Sequence, residues 1–282
     1  MSVSPAEQLS TPVDGVTVLG ALSPSRASDF MTCPLLYRFR QVDRLPEPPS
    51  PAAVRGTVVH KVLEDLFDRP AHERVPDVAL EMLAPAWAAL QELEPELADM
   101  LPEAKRASWM ASCRTVLERY FTIEDPSRLA PAERELYVEA LLDSKLLLRG
   151  FVDRLDVAAT GEVRVVDYKT GRAPRPGFEA KALFQMKFYA LVWWKVRGEI
   201  PAMLQLLYLG SGEVLRYEPD EVELRATERK VEAIWQAIRT AERTGDWRPS
   251  PSKLCSWCAH QTLCPEFGGT PPPLAQPVDE LG

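Results

Sequence analysis

Apolar residues in the first half of the chain recur at helical spacing. Between positions 52 and 67, Val54, Val58, Val59, Val62, Leu63, Leu66 and Phe67 return every three or four residues, which predicts a helix with one buried face. His60 and Glu64 are four apart and share a face of that helix. Two further helices are predicted at about 77–99 and 103–121. A shorter one starts after Ser23, a good N-cap, and ends near Thr32, ahead of Pro34. Beyond position 133 the texture changes. Segments 133–142, 145–158 and 162–168 are rich in Val, Leu and aromatic residues, with a turn signal at Thr160-Gly161, and predict an antiparallel meander. A helix at about 180–196 follows, then strands at 203–209 and 214–217 joined by Gly210-Ser211-Gly212, then a long helix at 220–244. That order predicts an α/β fold with a mixed central sheet flanked by helices.

Composition adds little to this picture. The 282 residues are 46% hydrophobic and 26% charged, as in ordinary globular proteins, and are enough for a sizeable core. Residues 1–15 and the tail at 268–282, with Pro271-Pro272-Pro273, are predicted to be disordered. No secretory or transit signal and no membrane-spanning run is visible, so the expectation is a soluble, cytoplasmic protein. The net charge of −8 argues against a protein that coats nucleic acid passively. The charge is uneven, however. Between Lys145 and Glu199 eleven basic residues outnumber six acidic ones, a local excess compatible with DNA ends as substrate.

The chemistry concentrates in two of the predicted strands. Gly150-Phe151-Val152-Asp153-Arg154-Leu155-Asp156 lies on one, and Val165-Val166-Asp167-Tyr168-Lys169-Thr170-Gly171 ends the next. If these strands pair through the Thr160-Gly161 turn, Asp153 and Asp167 approach each other. Asp167 and Lys169, two apart, share a strand face. Two carboxylates and an ammonium are therefore expected to converge at a sheet edge, with Asp156 a further acidic candidate. Carboxylates are hard oxygen ligands suited to Mg²⁺ or Mn²⁺. A metal so held polarises a phosphodiester and acidifies water, and a neighbouring lysine orients that water and stabilises developing charge.

The two strand motifs resemble those of the PD-(D/E)XK nuclease superfamily, in particular its RecB-like branch. Val58-Val59-His60-Lys61-Val62-Leu63-Glu64 resembles that branch's histidine helix, and Gln185-Met186-Lys187-Phe188-Tyr189 its Gln-x-x-x-Tyr helix; the resemblance extends over about 22–267. It implies a restriction-endonuclease-like core with an N-terminal helical insertion. It also implies metal ligation by His60, Asp153, Asp167 and the backbone carbonyl of Tyr168. Lys169 would be the catalytic lysine, and Gln185 and Tyr189 would position DNA or that lysine. Glu64 is a candidate to support the histidine.

Five cysteines complete the inventory. In an intracellular chain such a set points to metal binding rather than disulfides. Cys255, Cys258 and Cys264 form a C-x₂-C-x₅-C run, and Cys33 stands far upstream in Cys33-Pro34-Leu35-Leu36-Tyr37. The split set resembles the iron–sulfur staple of AddB-type and CRISPR-associated RecB-like nucleases, which implies a [4Fe–4S] cluster. A Cys₄ zinc site uses the same ligands, and His260 offers a substitute ligand in that case. Trp257 is expected to cover the centre, and Cys113, on an amphipathic helix, to be a core thiol. Tying the ends together would remove about 5 kcal/mol of unfolded-state freedom in a chain-entropy model.

The expected organisation is a single nuclease domain at 16–267. It has a helical part at about 52–121, a catalytic core at about 133–244 and an iron–sulfur segment at 250–267 completed by Cys33. The expected function is that of a Mg²⁺- or Mn²⁺-dependent DNA exonuclease in repair or recombination, acting on DNA ends or single strands. The alternative is a non-catalytic or partner-dependent DNA-binding module of a helicase–nuclease complex. No Walker-type Gly-x-x-x-x-Gly-Lys-[Ser/Thr] occurs, so a helicase would be a separate protein.

Overall fold

The computed structural model of the chain describes residues 16–175 and 180–274. The termini expected to be disordered, 1–15 and the 275–282 part of the tail, lie outside them.

Strand β1 (Gly20–Leu22) leads into helix α1 (Pro24–Thr32), and α2 (Pro34–Tyr37) continues as a wider π-helical turn, Arg38–Val42. Helices α3 (Pro51–Leu66), α4 (Pro76–Leu93) and α5 (Glu103–Ile123) form the helical part. The core comprises β2 (Glu133–Leu141), β3 (Leu146–Val157), β4 (Val163–Lys169), α6 (Ala180–Arg197), β5 (Met203–Tyr208), β6 (Glu213–Tyr217) and α7 (Glu221–Thr244). Ser23, Ser50 and Asp220 cap α1, α3 and α7 by accepting backbone N–H groups, as their side chains suit them to do. The helix expected at 77–99 stops at Leu93. Pro95 bars residue 94 from the α-region, and a short 3₁₀ turn carries on.

The sheet is mixed. β3 pairs antiparallel with β2 and β4, β4 runs parallel to β5, and β6 returns antiparallel. β3 has two neighbours on its other edge. β1 pairs with Leu146–Leu148 and β4 with Arg154–Val157, so residues 149–153 have no strand partner on that side. The site sits at this gap. It is not at an outer edge of the sheet, as expected from sequence, because β5 covers the far side of β4.

Helices cover both faces. β4 alternates between two cores. Val165 joins residues of α1, α2, α6 and α7, whereas Val166 and Tyr168 join α3, α4 and α5. Cys113 is fully buried in the second core, as expected of a structural thiol. Residues 268–274, expected to belong to the tail, lie against the fold: the Arg38 guanidinium donates to the Pro272 carbonyl. Among the described residues no helix is long and apolar enough to cross a membrane.

Candidate active site

Asp167 and Lys169 leave the C-terminal half of β4 on the α6 side. Asp167 is buried, and the Lys169 Nζ stands 2.6 Å from its Oδ2. One helical turn of α6 locks the pair. Lys169 donates to Gln185 Oε1 at 2.8 Å, and the Gln185 amide nitrogen donates to Asp167 Oδ1 at 3.0 Å. The same amide lies 3.3 Å from the Tyr189 hydroxyl. Tyr189 can lie this low because position 150 is glycine. A Cβ there would meet the Tyr189 ring at 2.8 Å.

Asp153 closes the gap in the sheet. The β3–β4 ladder ends at Arg154 and Val166. The Tyr168 N–H then donates to the Asp153 carboxylate at 2.6 Å. His60 reaches over from α3. Its Nε2 is 3.0 Å from the Tyr168 carbonyl oxygen and its Nδ1 is 3.6 Å from Asp153 Oδ2.

A carboxylate not anticipated from sequence joins them. Arg134 pairs with Arg154 and Leu136 with Val152, so Glu135 stands opposite Asp153 on β2. Its φ of 45° is a left-handed value rare in a strand and takes it out of the regular ladder. His60, Glu135 and Asp153 each offer a ligand atom, all within 4.8 Å of one another.

Burial and crowding set the charges. Burial holds the His60 imidazole below its ordinary pKa despite Asp167 and Glu135 nearby, so the ring is neutral and free to ligate. Burial and the Asp167 charge raise Asp153 well above the usual carboxylate range. Burial, with Asp153 next, raises Glu135 to about 7. Crowded, partly desolvated carboxylates beside a neutral imidazole are the donor set a hard divalent cation relieves. All of these groups except Glu135 and Asp167 line a single cleft of about 1170 Å³, with Arg149, Arg172 and Lys181 on its walls.

Residues 21–265 match the family model of the PD-(D/E)XK nuclease superfamily. The chain belongs to that superfamily. Among relatives, the nuclease is 25% identical over 273 residues to the Gene 69 protein of Mycobacterium phage D29, covering 87% of this chain and 96% of that one. A candidate exonuclease from Eubacterium rectale shares the fold, with a TM-score of 0.53 at 12% identity over 85% of this chain and 87% of that structure.

Two acidic candidates lie outside the nuclease's cleft. Asp156 follows Asp153 by three residues, an odd step along a strand, and pairs with Arg154 and Arg164 at 3.1 and 2.7 Å. Glu64 pairs with Lys61 at the surface.

The four cysteines outside the core come together. Cys33, Cys255, Cys258 and Cys264 line a small cavity of about 60 Å³ with Leu35, Leu36 and Phe39. The Ser250 and Ser252 N–H groups donate to the sulfurs of Cys33 and Cys255 at 3.4 and 3.3 Å. Among the described residues no three of these sulfurs lie within 4.8 Å of one another. Trp257, expected as a lid, is 87% exposed and covers nothing. His260 turns away from the thiols: it is buried on Phe39 and its Nε2 is 2.8 Å from Glu47.

Proposed function

We propose that this chain is a Mg²⁺- or Mn²⁺-dependent DNA exonuclease of the RecB-like branch, acting on DNA ends or single strands in repair or recombination. The observation that carries the reading is the single constellation formed by Asp167, Lys169 and Gln185 on one side and His60, Glu135 and Asp153 on the other. His60, Asp153, Asp167 and the Tyr168 carbonyl would hold the metal, with Glu135 as an added ligand. Bound there, it would polarise the phosphate and lower the pKa of an attacking water. Lys169, fixed by Gln185, donates towards the phosphate and stabilises the charge that grows on it. Tyr189 keeps Gln185 from swinging away from Lys169. The walls bearing Arg149, Arg172 and Lys181 bind the flanking phosphates.

The same reading assigns Cys33, Cys255, Cys258 and Cys264 to a [4Fe–4S] cluster. Two backbone N–H groups already aimed at sulfur suit thiolate ligands. Four zinc-bound thiolates, at Zn–S distances of about 2.3 Å, would sit about 3.8 Å apart, closer than the spacing here. The cluster would tie α1 and α2 to the segment after α7, a structural task. A separate helicase or repair protein remains the expected partner of such a nuclease.

The test is cleavage of end-labelled single- and double-stranded DNA by anaerobically purified protein with Mg²⁺, Mn²⁺ or chelator, beside Lys169→Ala. Metal-dependent degradation reduced by about 10²–10³ in the variant is expected. No cleavage by the folded, cluster-loaded protein would overturn the reading.

A further inference from the structure

Two aromatic rings stand in the open where the cleft meets the surface. Tyr137 and Phe151 are directly paired across β2 and β3, with ring centroids 5.2 Å apart and planes tilted by 58°. They are 41% and 56% exposed, and neither belongs to either core. Single exposed apolar residues are common, but a cross-strand aromatic pair lining a charged cleft is not explained by packing. The next pair on the same face of these strands is Glu139 and Arg149, and Glu139 accepts the Tyr137 hydroxyl at 2.8 Å. That bond fixes the Tyr137 ring from its far end.

The pair's position relative to the carboxylates matters most. Phe151 precedes Asp153 by two residues on β3, and both line the cleft. Two residues of strand span about 6.8 Å, close to one nucleotide of an extended DNA strand. Half-buried Arg149 and exposed Arg172 and Lys181 line the same cleft, with charge suited to phosphates on either side of a base. An aromatic face beside a basic wall is how proteins hold single strands without reading sequence.

We propose that Tyr137 and Phe151 form a stacking platform for an unpaired nucleobase adjacent to the scissile phosphate, which makes a single-stranded DNA end the preferred substrate. The proposal rests on the nuclease reading of the neighbouring site. Base-paired interior nucleotides have no free face to offer the rings, so duplex DNA engages the basic walls but not the platform.

The test measures binding of oligodeoxythymidylate, and of a fully abasic strand of equal length, to the full chain with Ca²⁺ in place of the catalytic metal. Wild type is compared with Tyr137→Ala/Phe151→Ala and with Phe151→Trp. The expected result is that the double substitution weakens oligodeoxythymidylate binding about tenfold or more, leaves abasic-strand binding as it was, and Phe151→Trp keeps the wild-type preference. Equal losses on both strands, or no loss on either, would overturn the platform while leaving the nuclease reading intact. Failure of the wild type to bind any DNA would overturn both.

Discussion

The Asp153 carboxylate accepts the Tyr168 backbone N–H at 2.6 Å, Asp153 lying one residue and Tyr168 two residues beyond the last β3–β4 pair. A side chain thus takes the place of a ladder bond, and the residue proposed to hold metal also satisfies a backbone donor. The two roles separate by substitution. Asp153→Ala leaves that N–H without its partner and is expected to cost about 1–3 kcal/mol. Asp153→Asn keeps an acceptor and removes a charge crowded by Asp167, so in chelator it should melt at or above the wild-type temperature. Both variants should lose DNA cleavage. Thermal melts beside a cleavage assay check this, and an Asn variant as unstable as the Ala variant would count against it.

Glu135 gives a pH signature. Its pKa is raised from 4.5 to about 7, so across that window the native state keeps a proton that the unfolded chain has released. Stability associated with this group is complete below the ordinary glutamate range and falls as pH rises through about 7. His60, with its lowered pKa, works in the opposite sense, gaining stability as pH rises through the ordinary histidine range. Comparison with Glu135→Gln isolates the carboxylate. In chelator, the wild type should lose melting temperature relative to that variant between about pH 5 and 8, and added Mn²⁺ should reverse the loss. Parallel melting curves for the two proteins across this range would refute the expectation.

Arg154 is fully buried and holds Glu124 at 2.8 Å, Asp156 at 3.1 Å and the Tyr168 hydroxyl at 2.8 Å. It joins the end of α5 to the strand whose backbone lines the site. Removing one partner of a buried ion pair strands the other, so Arg154→Ala should destabilise the fold by about 3–5 kcal/mol. Denaturant unfolding measures this directly.

The cysteine assignment predicts a compositional result. Anaerobically prepared wild-type protein should contain iron and acid-labile sulfide, and Cys33→Ser or Cys258→Ser should lose both. Cys113→Ala should retain them, since that thiol is buried far from the others in the helical core. Zinc in place of iron and sulfide would return the site to its mononuclear alternative.

Much of this arrangement is legible in sequence because its signals are local. Asp167 and Lys169 are fixed on one face by strand periodicity, Gln185 and Tyr189 by one helical turn, and the N-caps by single residues. Glu135 is not legible. Its place opposite Asp153 depends on the register of a hairpin, and its orientation on a left-handed φ at a residue type that rarely takes one. The expectation of a sheet edge failed for a related reason: β5, the strand that encloses β4, arrives only after the intervening α6. β1, three residues long, is too short to show periodicity.

β4 also carries a consequence for biosynthesis. Its parallel partner begins at Met203, so a ribosome must pass that point before the strand bearing Asp167 and Lys169 is enclosed on both sides. Until then the β4 edge from Arg164 to Lys169 is open and unpaired, and Asp167 and Lys169 stand on an outer strand. A chain that stops before β5 would keep that edge exposed, a template for pairing with another chain rather than with its own next strand.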